Sequence, residues 1–137
     1  MGSVQLIHSA RLKHAEYADA AVIPAGNEII FLAGACPLDD EGGTVAPGDV
    51  AAQTHKALEN MDVVLSESGA SLVDVAFLRV LVATDRNEDL GLAWAAVRQH
   101  FGTHQVPGTL YGVTVLGYPG QLVEIEPVAV RRAAGEG

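Results

Sequence analysis

Apolar residues recur along the chain with two periods, which predict two helices among six strands. Steps of three and four residues after Asp49, a helix-capping residue type, predict a first helix that ends near Gly69. The same spacing over residues 88–101 predicts a second helix that ends at Gly102. Six apolar, β-prone segments surround these helices: residues 4–8, 19–23, 28–33, 73–84, 109–116 and 122–130.

Glycine and proline mark the predicted connections. Residues 24–27 join the second and third strands, and residues 117–120 join the last two, so each pair is expected to form a hairpin. This order of elements predicts an α+β fold, in which one mixed sheet carries two helices packed on one face. Residues 1–130 are expected to form a single domain, followed by a disordered tail over residues 131–137.

Alternation along the last predicted strand sorts its side chains onto two faces. Ile125 points one way, whereas Glu124 and Glu126 point the other way, about 6.6 Å apart by the strand rise. Their common face is either a solvated surface near a sheet edge or a cleft whose carboxylate acts as a general base or positions water. Because Pro127 cannot donate a ladder hydrogen bond, the strand is expected to lie at an edge or to lose its pairing there.

Composition limits the classes of protein that fit. Hydrophobic residues make up 49% of the 137 residues and charged residues 18%, which is typical of a folded domain. The net charge of −9 argues against nucleic acids and anionic membranes as partners. No apolar run reaches the roughly 18 residues of a membrane span. The first residues lack a signal-peptide pattern, so we expect a cytoplasmic location.

Cysteine and histidine give little support for a metal site. Cys36 is the single cysteine, which excludes an internal disulfide, and an isolated cysteine is more often a buried hydrophobe than a nucleophile. His100 and His104 are four residues apart, but Gly102 lies between them and no third ligand is evident. We therefore expect neither a metal ion nor another cofactor.

Several short segments, taken in order, resemble the Rid family, which is also called YjgF or L-PSP. They are EY at residues 16–17, FLAGACPLD at 31–39, QT at 53–54, LEN at 58–60 and LVEIEPVAV at 122–130. The resemblance spans about residues 17–130. It implies a chorismate-mutase-like subunit that assembles as a homotrimer with ligand clefts between subunits. It also implies hydrolysis of reactive enamines or imines with release of ammonia, as in many members.

The resemblance also implies roles for individual residues. Glu124 matches the glutamate that positions or activates water, and Tyr17 and Gly34 match residues that frame the site. Ala33 stands where serine is common, and Trp94 stands where many members carry a small polar residue.

The arginine that binds the substrate carboxylate in these relatives is absent here. Its position falls on Gly108 or on Thr109, depending on the direction of counting. An arginine grips a carboxylate through two charge-assisted hydrogen bonds, which neither residue can replace. Arg79 or Arg98 could supply the guanidinium, although solvent or an intersubunit ion pair is the commoner environment for such side chains.

The remaining predicted lining is aromatic and favours a different kind of ligand. Besides Tyr17 it comprises Phe31, Trp94 and Tyr111. We expect a small, non-amino-acid metabolite that is less charged than a 2-imino acid. The expected activity is hydrolysis or deamination at a C=N or enamine bond, with Glu124 positioning water. The alternative is a non-catalytic trimer that binds a small molecule or stabilises a partner.

Overall fold

The computed structural model describes residues 4–12 and 16–134. Its strands are β1 (Gln5–Ile7), β2 (Ala20–Val22), β3 (Asn27–Phe31), β4 (Val75–Ala83), β5 (Gly108–Val113) and β6 (Val123–Arg132). Its helices are α1 (Val50–Glu67) and α2 (Asn87–Phe101), with a short 3-10 turn at Leu72–Asp74. Within this part of the chain, no helix has the length and apolar character needed to cross a membrane.

Four strands form a mixed sheet in the order β3–β6–β4–β5. β4 and β5 run parallel, whereas β6 is antiparallel to both of its neighbours. The two helices contact each other and pack on one face, α1 against β6 and α2 against β4 and β5. This arrangement confirms the predicted α+β fold with two helices on a mixed sheet. β1 and β2 form a separate antiparallel pair.

The two predicted hairpins are wrong, because the strands pair with other partners. β2 pairs with β1, and β3 pairs with β6. β4 lies between β5 and β6, so residues 117–120 connect strands that are not neighbours. Turn residues mark where the chain changes direction, but packing of distant segments decides which strands pair.

β6 is a central strand, so its expected position at a sheet edge is wrong. On one side it pairs with β4 through Pro127 without interruption. On the other side the β3 ladder ends at the Phe31–Val128 pair and resumes as one bridge between Ala35 and Ile125. The expected loss of pairing at Pro127 therefore occurs on the β3 side only. It leaves residues 32–34 between the ladder and the bridge.

The helix-covered side of the sheet forms the hydrophobic core. Alternate side chains of β4 and β6 are fully buried there: Leu78, Val80, Val82, Val123 and Ile125. Leu58, Met61 and Leu65 of α1 pack against them. Glu124 and Glu126 are half-buried on the opposite face, as the alternation along β6 predicts.

The opposite side of the sheet, which we call the open face, carries both apolar and charged side chains. It comprises Ile29, Phe31, Phe77, Arg79, Leu81, Thr109, Tyr111, Glu124, Glu126 and Val128. Phe31 is 79% exposed and Ile29 is 54% exposed. Large apolar side chains exposed together on one sheet face are typical of a surface that another subunit covers.

The C-terminal boundary differs from the expected one at residue 131. β6 continues through Arg132, and the Ala133 amide donates a hydrogen bond to the Gly26 carbonyl at 3.0 Å. Arg131 also pairs with Glu28 at 2.9 Å across the β3–β6 ladder. The ordered domain thus includes the start of the predicted tail, and residues 135–137 of that tail lie outside the described residues.

Candidate functional site

Helix α1 anchors the loop that follows β3. Asp49 caps the helix, since its carboxylate accepts a hydrogen bond from the Ala52 amide at 2.9 Å. Further along, the Asn60 side-chain amide donates to the Cys36 carbonyl at 2.8 Å and to the Leu38 carbonyl at 2.9 Å. These bonds fix the backbone around Cys36.

The same helix anchors the loop that precedes β6 through a buried glutamine. Gln53 is fully buried, and its amide nitrogen donates to the carbonyls of Ala46 and Gly120 at 3.2 and 3.1 Å. Its amide oxygen accepts from the Leu122 backbone at 2.8 Å. One helix therefore holds the two loops that flank Glu124.

The Glu124 carboxylate lies between these loops. Its Oε1 accepts a hydrogen bond from Gln121 Nε2 at 3.0 Å and another from the Cys36 thiol at 3.5 Å. A Cβ atom on residue 34 would overlap Oε2, so only glycine leaves room for this rotamer. We call Gly34, Cys36, Gln121 and Glu124 the carboxylate cluster. Ala33 lies beside it, lining a cavity of about 260 Å³ with Gly34 and Cys36.

Cys36 is a thiol in this environment. Burial raises its pKa, and the adjacent Glu124 charge raises it further, to about 11. A thiol with this pKa is almost entirely protonated at neutral pH, so it can donate to Glu124 but is a poor nucleophile.

A second group of expected site residues lines a cleft at the β5 edge of the sheet. Tyr17, Trp94, Gly108 and Thr109 surround about 350 Å³ together with Glu16 and Leu110. The Tyr17 and Trp94 rings meet edge to face, with centroids 6.0 Å apart. We call this group the aromatic cleft. Trp94 lines this cleft and also packs against the hydrophobic core.

The carboxylate cluster and the aromatic cleft are separate within one chain. Glu124 lies beside Leu81 of β4, which lies beside Tyr111 of β5. Thr109 is two residues further along β5, so its Cα is about 12 Å from that of Glu124 by strand spacing and rise. Phe31 and Tyr111 belong to the open face and line neither group. Each chain thus holds two separate groups of candidate site residues.

Geometry separates the two positions considered for the missing arginine. A Cβ atom on Gly108 would lie 2.7 Å from the Leu78 carbonyl oxygen, so a side chain there collides with the β4 backbone. Thr109 is exposed on the open face and lines the aromatic cleft. Position 109 is therefore the one from which a longer side chain would reach a ligand.

The two arginines considered as replacements each have an acidic neighbour. Arg98 pairs with Glu16 at 3.1 Å, as expected for an exposed arginine, although this pair lies within one chain. Arg79 is exposed on the open face between Thr109 and Glu126 in the ladder, and its guanidinium lies 5.5 Å from the centre of the Phe77 ring.

The two histidines considered as a metal pair contact other groups. His100 Nε2 lies 2.8 Å from an Asp62 carboxylate oxygen, and His104 Nε2 lies 2.9 Å from the Val75 carbonyl oxygen. Over residues 4–12 and 16–134, no group of three or more potential ligands from His, Cys, Asp and Glu is close enough to hold a metal ion.

Sequence reasoning did not single out Gln121, although it is the nearest donor to Glu124. A lone glutamine in a loop matches no motif, and its separation of three residues from Glu124 does not place the two on one face of a strand. The one available signal is its position between Gly120 and the apolar start of β6.

Comparison with known proteins identifies the family. The family model described as Endoribonuclease L-PSP matches residues 8–131. A RutC family protein of Pyrococcus abyssi is 33% identical over 109 residues, which cover 80% of this chain and 83% of the relative. The 2-iminobutanoate/2-iminopropanoate deaminase of Rattus norvegicus is 29% identical over 115 residues, covering 84% of this chain and 80% of that protein.

A solved structure agrees with this assignment. YyfB of Yersinia pestis, a member of the conserved Rid protein family of unknown function, superposes with a TM-score of 0.86 at 25% sequence identity. The superposition covers 93% of this chain and 98% of YyfB. Family model, relatives and structure converge, and the chain therefore belongs to the L-PSP, or Rid, family.

Proposed function

We propose that this protein hydrolyses the C=N bond of a small imine or its enamine tautomer, with Glu124 positioning and activating the water. The observation that carries the proposal is the half-buried Glu124 carboxylate, which two neighbouring donors hold beside the glycine backbone at residue 34. A carboxylate in such a place can accept a proton from water. The deaminase activity named for the rat relative supports this reaction class.

The chemistry needs only water and the imine. The water oxygen bonds to the imine carbon while Glu124 accepts a proton from that water. That proton then passes to the nitrogen and gives a carbinolamine. Glu124 transfers the remaining hydroxyl proton to the nitrogen as well, the carbon–nitrogen bond breaks while the carbon–oxygen double bond forms, and the products are a carbonyl compound and ammonia. General-base assistance of this kind contributes about 10²–10⁴-fold to the rate.

A homotrimer would complete the site. The carboxylate cluster and the aromatic cleft are about 12 Å apart within one chain, too far for both to touch one small ligand. An assembly that covers the open face would bring the aromatic cleft of one protomer to the carboxylate cluster of the next. The exposure of Phe31 and Ile29 on this face supports such an assembly.

The electrostatic surroundings favour an imine that carries no carboxylate. Position 109 is threonine and Arg98 is paired with Glu16, so neither supplies a free guanidinium, whereas Arg79 is exposed beside Glu126 in the ladder. An acidic substrate would meet the negative charges of Glu124 and Glu126, against the single charge of Arg79 beside them. The edge-to-face rings of the aromatic cleft instead suit an apolar or aromatic group.

The proposal is tested by ammonia release from a panel of imines generated in place by oxidases. The panel includes the imine of benzylamine, which has no carboxylate, and 2-iminopropanoate, which has one. We expect Glu124→Gln to lower the rate by about 10²–10⁴-fold. The matched control is Glu126→Gln on the same strand and face, which we expect to retain the wild-type rate within about threefold.

Two outcomes would reject the proposal. Unchanged turnover in Glu124→Gln would remove the role of this carboxylate. Absence of turnover with every imine, together with saturable binding of an aromatic ligand, would favour the non-catalytic binding protein.

A further inference from the structure

The orientation of the Gln121 side chain is fixed on three sides. Gln121 is 3% exposed, and its amide oxygen accepts from the Tyr118 backbone at 3.0 Å. Its amide nitrogen donates to the Val123 carbonyl and to Glu124 Oε1, both at 3.0 Å. A flipped amide would place oxygen against two acceptors, so the donor group faces Glu124.

Cys36 approaches the same carboxylate oxygen from the opposite loop. Its sulfur lies 3.5 Å from Glu124 Oε1 and 3.6 Å from the Gly34 carbonyl oxygen. A thiol has one hydrogen, and an ionised carboxylate is a stronger acceptor than a neutral carbonyl. The thiol therefore donates its hydrogen bond to Oε1.

The second carboxylate oxygen has different surroundings. Oε2 lies over Gly34, in the space that any larger residue at position 34 would fill with its Cβ atom. Among the described residues, no donor forms a hydrogen bond to Oε2. Oε1 of Glu124 thus accepts two hydrogen bonds, whereas the lone pairs of Oε2 are available to accept others.

We propose that Gln121 and Cys36 are positioning residues that occupy Oε1 of Glu124 and leave Oε2, above Gly34, to bind the reacting water. This inference rests on the proposed function and adds to it the water-binding atom and the two side chains that select it.

Gln121→Met tests the larger of the two contributions. The variant keeps the size of the side chain but loses the donor to Glu124. We expect kcat to fall about tenfold or more while KM changes less than about twofold, because the lost bond orients water rather than substrate.

Gln53→Met is the matched control. Gln53 is an equally buried glutamine that holds the same 120–122 loop and makes no contact with Glu124. A purely structural effect would lower thermal stability and kcat alike in both variants. We expect the larger fall in kcat, with little change in KM, in Gln121→Met. If the Met variant does not fold, Gln121→Ala, which removes the same donor, gives the comparison.

Cys36 is tested by a pair of substitutions. Cys36→Ala removes the thiol donor and should lower kcat about threefold to tenfold. Cys36→Ser restores a donor of similar size and should recover most of the wild-type kcat. Equal rates in the two variants would exclude the donor role of Cys36.

The results separate this inference from the function on which it rests. Absence of imine turnover in the wild type would overturn the proposed function and this inference with it. Wild-type turnover, with equal kcat in Gln121→Met and Gln53→Met, would overturn this inference alone.

Discussion

At the scale of single residues, the Cys36 thiol reports the charge on Glu124. Burial raises the thiol pKa and the nearby carboxylate raises it further, to about 11 from an ordinary value of 9.0. Glu124→Gln removes the charge but not the burial, so we predict a Cys36 pKa between these two values. The single cysteine can be followed by its rate of alkylation against pH, because the thiolate is the reactive form.

The control for this measurement is Glu126→Gln. Glu126 has the same charge but makes no hydrogen bond to Cys36, so its substitution should leave the alkylation profile unchanged. A profile that is identical in wild type and Glu124→Gln would contradict the contact between thiol and carboxylate.

Individual site residues differ in how far the sequence predicts them. Alternation along the last strand is sufficient to place Glu124 on the face opposite the core. The two positions for the missing arginine cannot be separated by counting, because the collision of a residue-108 Cβ with Leu78 arises only when β5 lies against β4. Gln121 is unpredictable for the same reason, since its three partners come together only in the folded loop.

At the scale of elements, α1 acts as the anchor for both loops of the carboxylate cluster. Asn60→Ala removes the side-chain donor of the Leu38 carbonyl and one of the two donors of the Cys36 carbonyl. We predict a loss of about 1–3 kcal/mol in the free energy of unfolding, which is the usual effect of removing a partner from half-buried polar groups. Urea denaturation measures this loss.

The neighbouring Glu59 provides the control for Asn60. Its side chain is 66% exposed and, within the described part of the chain, forms an ion pair with Lys56 only, so Glu59→Ala should change the stability by less than about 0.5 kcal/mol. Equal stability of the two variants would show that α1 does not anchor the Cys36 loop.

The helices and most strands follow from local patterns, whereas the strand order does not. The apolar period and the Asp49 cap predict α1 within a residue or two of its observed bounds. The hairpin predictions are wrong because β2 pairs with β1 and because β4 lies between β5 and β6, and local turn residues do not determine such pairings. Pro127 illustrates the difference, since β6 pairs with β4 at Pro127 itself although its ladder with β3 stops one residue away.

At the scale of the whole molecule, we predict that the open face is covered in a homotrimer. Phe31→Glu places a charge on the most exposed large apolar side chain of this face. We expect sedimentation to show a trimer for the wild type and smaller species for the variant. Imine turnover should fall with the loss of trimer, because the carboxylate cluster of one protomer then separates from the aromatic cleft of its neighbour.

Val63→Glu is the matched control for Phe31→Glu. Val63 is 55% exposed on α1, away from the open face, so this variant should remain trimeric and active. A wild type that sediments as a monomer and still turns over imines would contradict the shared site.

The central claim is that the site has a water-binding carboxylate but lacks an arginine at position 109 to pair with an acidic substrate. The most direct measurement compares kcat/KM for the benzylamine-derived imine with that for 2-iminopropanoate, in the wild type and in Thr109→Arg. The account predicts that the wild type prefers the uncharged imine by about tenfold or more, and that Thr109→Arg raises the value for 2-iminopropanoate by about tenfold or more through a charge-assisted pair. Two results together would contradict the account: a higher wild-type kcat/KM for 2-iminopropanoate than for the uncharged imine, and the loss of this difference in the Arg79→Gln variant.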